Sequence, residues 1–264
     1  MATIERLTDL LSLEPHGSDV YVGESPEYPW GPRVYGGQVI AQALWAAADT
    51  VDPRYAVHSL HSYFIRGGQF DEPIRYEVDR IRNGRSFLTR RVVARQSSGA
   101  ILNLSASFQV AEDAVDVQPL TPPAVPEPDV VDADGWTPVF ERRAVATEGA
   151  RSLAWLRLNG PLPDNPVVHA CAIAYASDDV PMEAITATHP ATTADDERRE
   201  RFMGASLDHS VWFHRPAPAD DWLLYDMRSQ GLHGSRGLTF GEIFTAAGLH
   251  VASIAQEGLL RELR

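Results

Sequence analysis

Asp208 is a carboxylate placed where it could act as a base, and Gln256 is an amide placed where it could orient a water. Asp208 opens Asp208-His209-Ser210-Val211-Trp212-Phe213, a run apolar enough to form a largely buried strand. A carboxylate at the head of such a strand is partly desolvated, which lifts its pKa above the reference of about 3.9 and makes it a stronger base. An ordinary strand-edge Asp bonded to nearby backbone N–H groups fits the same position, and the residue types leave both readings open. Gln256 closes a second apolar run, Val251-Ala252-Ser253-Ile254-Ala255. Its amide needs partners for both C=O and NH2, so it can bridge strands or orient a water.

Other routes to chemistry are absent from the sequence. Gly204-Ala205-Ser206-Leu207-Asp208 lacks the second glycine of a nucleophile elbow. No Walker loop occurs, and no Gly-x-Gly-x-x-Gly opens a helix after a strand. His58/His61 and His209/His214 do not have the spacing of a zinc-binding helix, and both pairs read as core or surface histidines. The single cysteine, Cys171, excludes an intrachain disulfide and a Cys-ligated zinc cluster. It lies in an Ala-rich apolar run and reads as a small buried hydrophobe.

The elements that must carry these groups come in two similar sets. Val39–Thr50, led by Gly36-Gly37-Gln38, is apolar nearly all round, which marks a buried helix. Strands follow at 56–66, 73–82, 86–97 and 100–111, with Arg91, Val93 and Arg95 alternating against Val92 and Ala94. A second Ala-rich helix at 166–177 precedes strands at about 207–214, 221–230, 236–246 and 249–261. A short amphipathic helix is expected at Ile4–Leu13 with Thr3 as its cap, and Thr193–Arg201 reads as a solvated charged segment. One buried helix followed by an antiparallel meander, repeated once, implies an α+β chain of two modules. The expected division is 1–111, a Pro-rich linker at 112–140, and 141–264. Pairing His61 with His209 and Gln109 with Gln256 puts Leu60 where the second copy has Asp208.

Net charge is −13, which argues against a nucleic-acid partner. All 23 basic residues are Arg, so an anionic ligand must be held by Arg, His or backbone N–H groups. No apolar run approaches the roughly 20 residues needed to span a bilayer, so no stable membrane insertion is expected. No signal peptide and no peroxisomal or ER tag is read at the termini, and a cytoplasmic location is expected.

Several motifs together resemble the type II acyl-CoA thioesterases (TesB-like). They are Val34-Tyr35-Gly36-Gly37-Gln38-Val39, His58-Ser59-Leu60-His61-Ser62-Tyr63-Phe64, Asp208 through Pro216, Trp222-Leu223-Leu224-Tyr225 and Gln256-Glu257-Gly258. They run in order over nearly the whole chain. The resemblance implies a double hotdog fold: two tandem modules, each an antiparallel sheet wrapped around a long buried helix. It also implies hydrolysis of acyl-CoA to a free acid and CoA, without a metal or other cofactor, in a homodimer or homotetramer. Members of the family position and activate water with an Asp, a Gln and a Thr or Ser. Asp208 and Gln256 match the first two. Gapless alignment from Trp222 puts Ser229 or Gln230 at the third.

On this reading Asp208 takes a proton from the attacking water, and Gln256 fixes that water with Ser229 or Gln230. The N-terminus of the buried helix at Gly36-Gly37 supplies oxyanion donors. By resemblance His58 belongs to the substrate site, as Gly37 does. CoA phosphates require Arg, with Arg85, Arg90 and Arg91 as candidates or, equally, as a solvated strand face. The alternatives are an acyl-CoA binding or regulatory protein with little turnover, a hydratase or dehydratase, and a thioesterase for an unusual acyl group. The Asp/His pair near the helix start that a hydratase would need is not seen.

Overall fold

The computed structural model describes residues 4–145, 149–192 and 201–263. The expected Thr3 cap and the charged run at 193–200 lie outside them. The first half runs α1 (Leu7–Leu10), β1 (Glu14–Pro15), β2 (Val20–Gly23), α2 (Gly36–Asp49), β3 (Tyr55–Phe64), β4 (Ile74–Asn83), β5 (Phe87–Gln96) and β6 (Gly99–Val110). The second half runs β7 (Phe140–Val145), β8 (Arg151–Leu158), α3 (Pro166–Ser177), α4 (Pro181–Ala187), β9 (Phe202–Ser206), β10 (Asp208–Phe213), β11 (Leu223–His233), β12 (Arg236–Thr245) and β13 (His250–Glu262).

The alternation of β5 holds: Arg91 and Arg95 are exposed, and Val92 and Ala94 are buried. Among elements not foreseen, β8 is buried continuously from Ser152 to Leu156 and so carries no alternation to read. β7 begins at Phe140, inside the stretch expected to be linker.

All the strands join one antiparallel sheet in the order β1-β2-β4-β5-β6-β3-β10-β13-β12-β11-β8-β7, with β9 also paired to β13. The halves meet at β3–β10, where Leu60 faces Val211 and Ser62 faces His209. Side chains alternate between sheet faces, and the inner face covers the helices. Helices α2 and α3 lie against each other. Ten residues of α2 are buried, as its all-round apolarity requires. In α3, Asn165 caps the first turn by accepting from Val167 N–H at 3.0 Å, and Pro166 follows at the first helical position. The contact between the helices is close. Tyr35 Oη donates to Tyr175 O at 2.9 Å, and a Cβ on Gly37 would fall 2.2 Å from that same carbonyl. This is a double hotdog: two sheets fused edge to edge, each wrapped on its helix.

The residue-level pairing of the two copies does not survive. His61 is exposed with its ring 5.1 Å from that of Trp212, whereas His209 is fully buried. Leu60 is fully buried, but Asp208 lies opposite Tyr63, which is 63% exposed. Gln109 is half-buried and Gln256 fully buried. An offset of one residue between the copies accounts for this, since in a strand it reverses every side chain.

Candidate active site

The inner face of β9, β10 and β13 gathers polar groups around the end of α3. Ser206 pairs with Gly258 across β9–β13, while Ser210 pairs with Ala255 across β10–β13. The register therefore slips by one at Leu207, whose N–H bonds Glu257 O at 2.8 Å and whose C=O accepts from Phe64 N–H at 2.9 Å. Such a bulge re-aims side chains. Ser206 and His209, three apart, would face opposite ways in a regular strand; here both meet Gln256. The Gln256 amide donates to Ser206 Oγ at 2.8 Å, and its carbonyl is bound to His209 Nδ1. His209 Nε2 lies 2.7 Å from Ser177 Oγ.

Ser206 Oγ in turn donates to Asp178 Oδ1 at 3.2 Å. Asp178 caps the C-terminus of α3 and faces the N-terminus of α2, where the Gly37 N–H also donates to it. Burial pushes its pKa up to about 7, against the pull of the donors Ser206, Gly37 and Gln256. Among the described residues no cation pairs with it. Its neighbour Asp179 takes the available one: Arg142 Nε lies 2.6 Å from Asp179, and Arg142 also meets Glu183 and Asp134. Gly36 makes the seat possible, since a Cβ there would come 2.5 Å from Asp178 Oδ2 and 2.9 Å from the Phe64 ring. Asp178 is buried, and Ser206 beside it is half-buried.

The other expected residues fall elsewhere. Asp208 is on the outer face, where its Oδ1 accepts from Glu257 N–H at 2.7 Å; burial raises its pKa. Alternation separates it from Gln256, because His209, not Asp208, shares the amide's face. Ser229 pairs with Thr239, which pairs with Gln256. Ser229 is therefore two strands from the amide, roughly 10 Å, and its Oγ accepts from Gly231 N–H at 3.3 Å. Gln230 is the extra residue of a bulge, exposed, donating to Arg228 O at 3.4 Å. His58 lies 2.8 Å from Ser107 Oγ and edge-on to Phe87 on the outer face. Of the expected site residues, Gly37 and Gln256 both bond Asp178, and Gln256 also bonds Ser206. Arg90 is not available to phosphate: its guanidinium bonds Thr50 Oγ1 at 2.7 Å and Thr50 O at 3.1 Å, closing the end of α2. Arg91 pairs with Asp79 at 3.1 Å, and Arg85 is exposed.

Asp178 did leave a signal in the sequence. An acid just after a helix opposes that helix's dipole and needs compensation from elsewhere. Ser206 left none, since its direction depends on the bulge. Among the described residues no three His, Cys, Asp or Glu side chains converge as metal ligands, and no helix is long and apolar enough to cross a membrane.

An Asp, a Ser and a Gln hydrogen-bonded in series at a helix N-terminus invite comparison with known proteins. Residues 25–109 match the family model for the acyl-CoA thioesterase N-terminal domain, and residues 114–260 match that for the C-terminal domain. The chain belongs to the acyl-CoA thioesterase family. It is 34% identical to acyl-coenzyme A thioesterase 8 of Mus musculus over 289 residues, covering 97% of this chain and 88% of the relative. The crystal structure of an acyl-CoA thioesterase II, TesB2, from Mycobacterium marinum superposes with a TM-score of 0.85 at 40% identity, covering 97% of this chain and 98% of that one. A hot dog fold protein of unknown function from Alicyclobacillus acidocaldarius gives a TM-score of 0.80 at 18% identity, covering 98% of each chain, and supports the fold alone. This thioesterase keeps the polar group described above on the second half of its sheet.

Proposed function

We propose that the enzyme hydrolyses acyl-CoA thioesters with a water activated by Asp178 and held by Gln256 and Ser206. The observation that carries this is the unbroken series Gln256–Ser206–Asp178, ending on a buried carboxylate that pairs with no cation among the described residues. A carboxylate with its pKa near neutrality is a stronger base than a solvated one and is still ionised in part at pH 7. Asp178 takes a proton as the water oxygen bonds to the thioester carbon. The C–S bond then breaks, and the proton passes from Asp178 to the departing CoA sulfur. The Gln256 NH2 donates to Ser206 and to Asp178 in the resting site; as the water enters between them its second N–H turns from the carboxylate to the water, and fixing that water removes part of the entropic barrier. Gly37 N–H and the positive end of α2 favour the ionised form of Asp178, a use of these donors different from the oxyanion role expected of them.

On this reading Ser206, rather than Ser229 or Gln230, supplies the hydroxyl of the trio. The test is thiol release from acyl-CoAs of several chain lengths. Asp178→Asn should lower kcat by about 10²–10⁴-fold, the usual contribution of a general base. Asp208→Asn should keep kcat within about threefold of wild type, because its amide oxygen can still accept from Glu257 N–H. Loss of activity in Asp208→Asn with Asp178→Asn unimpaired would return the base to Asp208.

A further inference from the structure

His209 is fully buried, and nothing in the water-activation scheme uses it. Its two ring nitrogens have specific partners, Gln256 Oε1 on Nδ1 and Ser177 Oγ on Nε2. An amide oxygen only accepts, so Nδ1 must carry the proton. Burial lowers the pKa of His209 to about 4, so the ring is neutral near pH 7 and Nε2 is an acceptor. The Ser177 hydroxyl lies 3.0 Å from Ala174 O and 2.7 Å from Nε2; with Nε2 an acceptor, its one proton goes to the nearer nitrogen. Every donor points the same way: Ser177 to His209, His209 to Gln256, Gln256 to Ser206, Ser206 to Asp178.

Gln256 is nearly symmetric in shape, and without the ring its amide could turn over. The turned amide would aim its C=O at the Asp178 carboxylate and offer the water an acceptor in place of a donor. We propose that His209 is a positioning residue, which through Gln256 holds the amide with its NH2 toward Ser206 and Asp178. The inference rests on the Asp178–Ser206–Gln256 reading and names what keeps that group in its working orientation. Hydrogen bonds aligned in one direction also polarise each other, which strengthens the last donor to the carboxylate.

The test compares donors placed at one ring position or the other. His209→Asn sets an amide N–H near the place of Nδ1, while His209→Gln sets it near that of Nε2. His209→Asn should keep kcat within about tenfold of wild type, while His209→Gln and His209→Leu should lose about 100-fold with KM changed less than about threefold. In a Gln256→Ala background, His209→Leu should lower kcat by less than about threefold more, because residues acting as a unit are not additive. Nitrogen NMR of the wild-type ring should report the Nδ1–H tautomer, a readout independent of whether any variant folds. An Nε2–H tautomer, equal losses in the Asn and Gln variants, or full additivity with Gln256→Ala would overturn the inference. These failures would leave the base assignment standing, whereas full activity in Asp178→Asn would remove that assignment first.

Discussion

Asp178 holds a charge where a charge is costly, and two predictions follow from its pKa near 7. As a base it must be ionised, so kcat should rise with pH along a limb with its midpoint at about 7. In Asp178→Asn that limb should vanish from the residual rate. The stability consequence has the opposite sign. Between the ordinary carboxylate pKa of about 3.9 and about 7, the folded protein holds a proton that the unfolded chain has released. The contribution to stability is therefore greatest below that window, falls as pH rises through it, and is flat above. At pH 8 Asp178→Asn should be stabilised by on the order of 3 kcal/mol and melt several degrees higher, a difference that should shrink at pH 4. Equal melting temperatures at pH 8 would show that the carboxylate carries no such burden. At this scale the sequence revealed Gln256 through its apolar strand. Asp178 shows there only as an acid at the end of α3 and Ser206 not at all, because their contacts come from two helix ends and from a bulge at Leu207, neither of which follows from local residue types.

The elements were more legible than the residues. Helices α2 and α3 were readable because they are apolar on every side, and β3 to β6 because exposed and buried residues alternate. Strand β8, buried on both faces, and the short α4 have neither pattern. The meeting of α2 with α3 depends on two adjacent glycines with different neighbours. Gly37→Ala would drive a Cβ into the Tyr175 carbonyl, which is backbone and cannot swing aside. It should cost about 1–3 kcal/mol, the range for overpacking, measured by denaturant unfolding. Gly36→Ala would press on the Asp178 carboxylate and the Phe64 ring. It should lower kcat more than its effect on stability explains, by shifting the carboxylate rather than by loosening the helices. At the other end of α2, Arg90→Met should destabilise the protein by about 1–3 kcal/mol, leaving Thr50 and Asn83 without their donor, while KM for acyl-CoA stays unchanged.

Across the whole molecule the two halves are bound by the β3–β10 seam, the Tyr35–Tyr175 contact and the Asp178–Gly37 bond. A core that continuous should unfold in one calorimetric transition, and two resolved transitions would show halves that stand alone. The duplication itself was visible in the order of the elements, but its residue correspondence was not, since a sheet turns a one-residue error into the wrong face. One feature of the joined halves bears on how the protein is made. Synthesis runs from the N-terminus, so α2 and its N–H groups exist before the carboxylate they will hold, and the amide on β13 arrives later still. A partial product that lacks β9 and β13 is without Ser206 and Gln256, and one that lacks α2 is without the Gly37 N–H. Either holds an incomplete set of partners for Asp178. The capacity to hydrolyse thus appears only when folding is finished, and thiol release reports a completed chain.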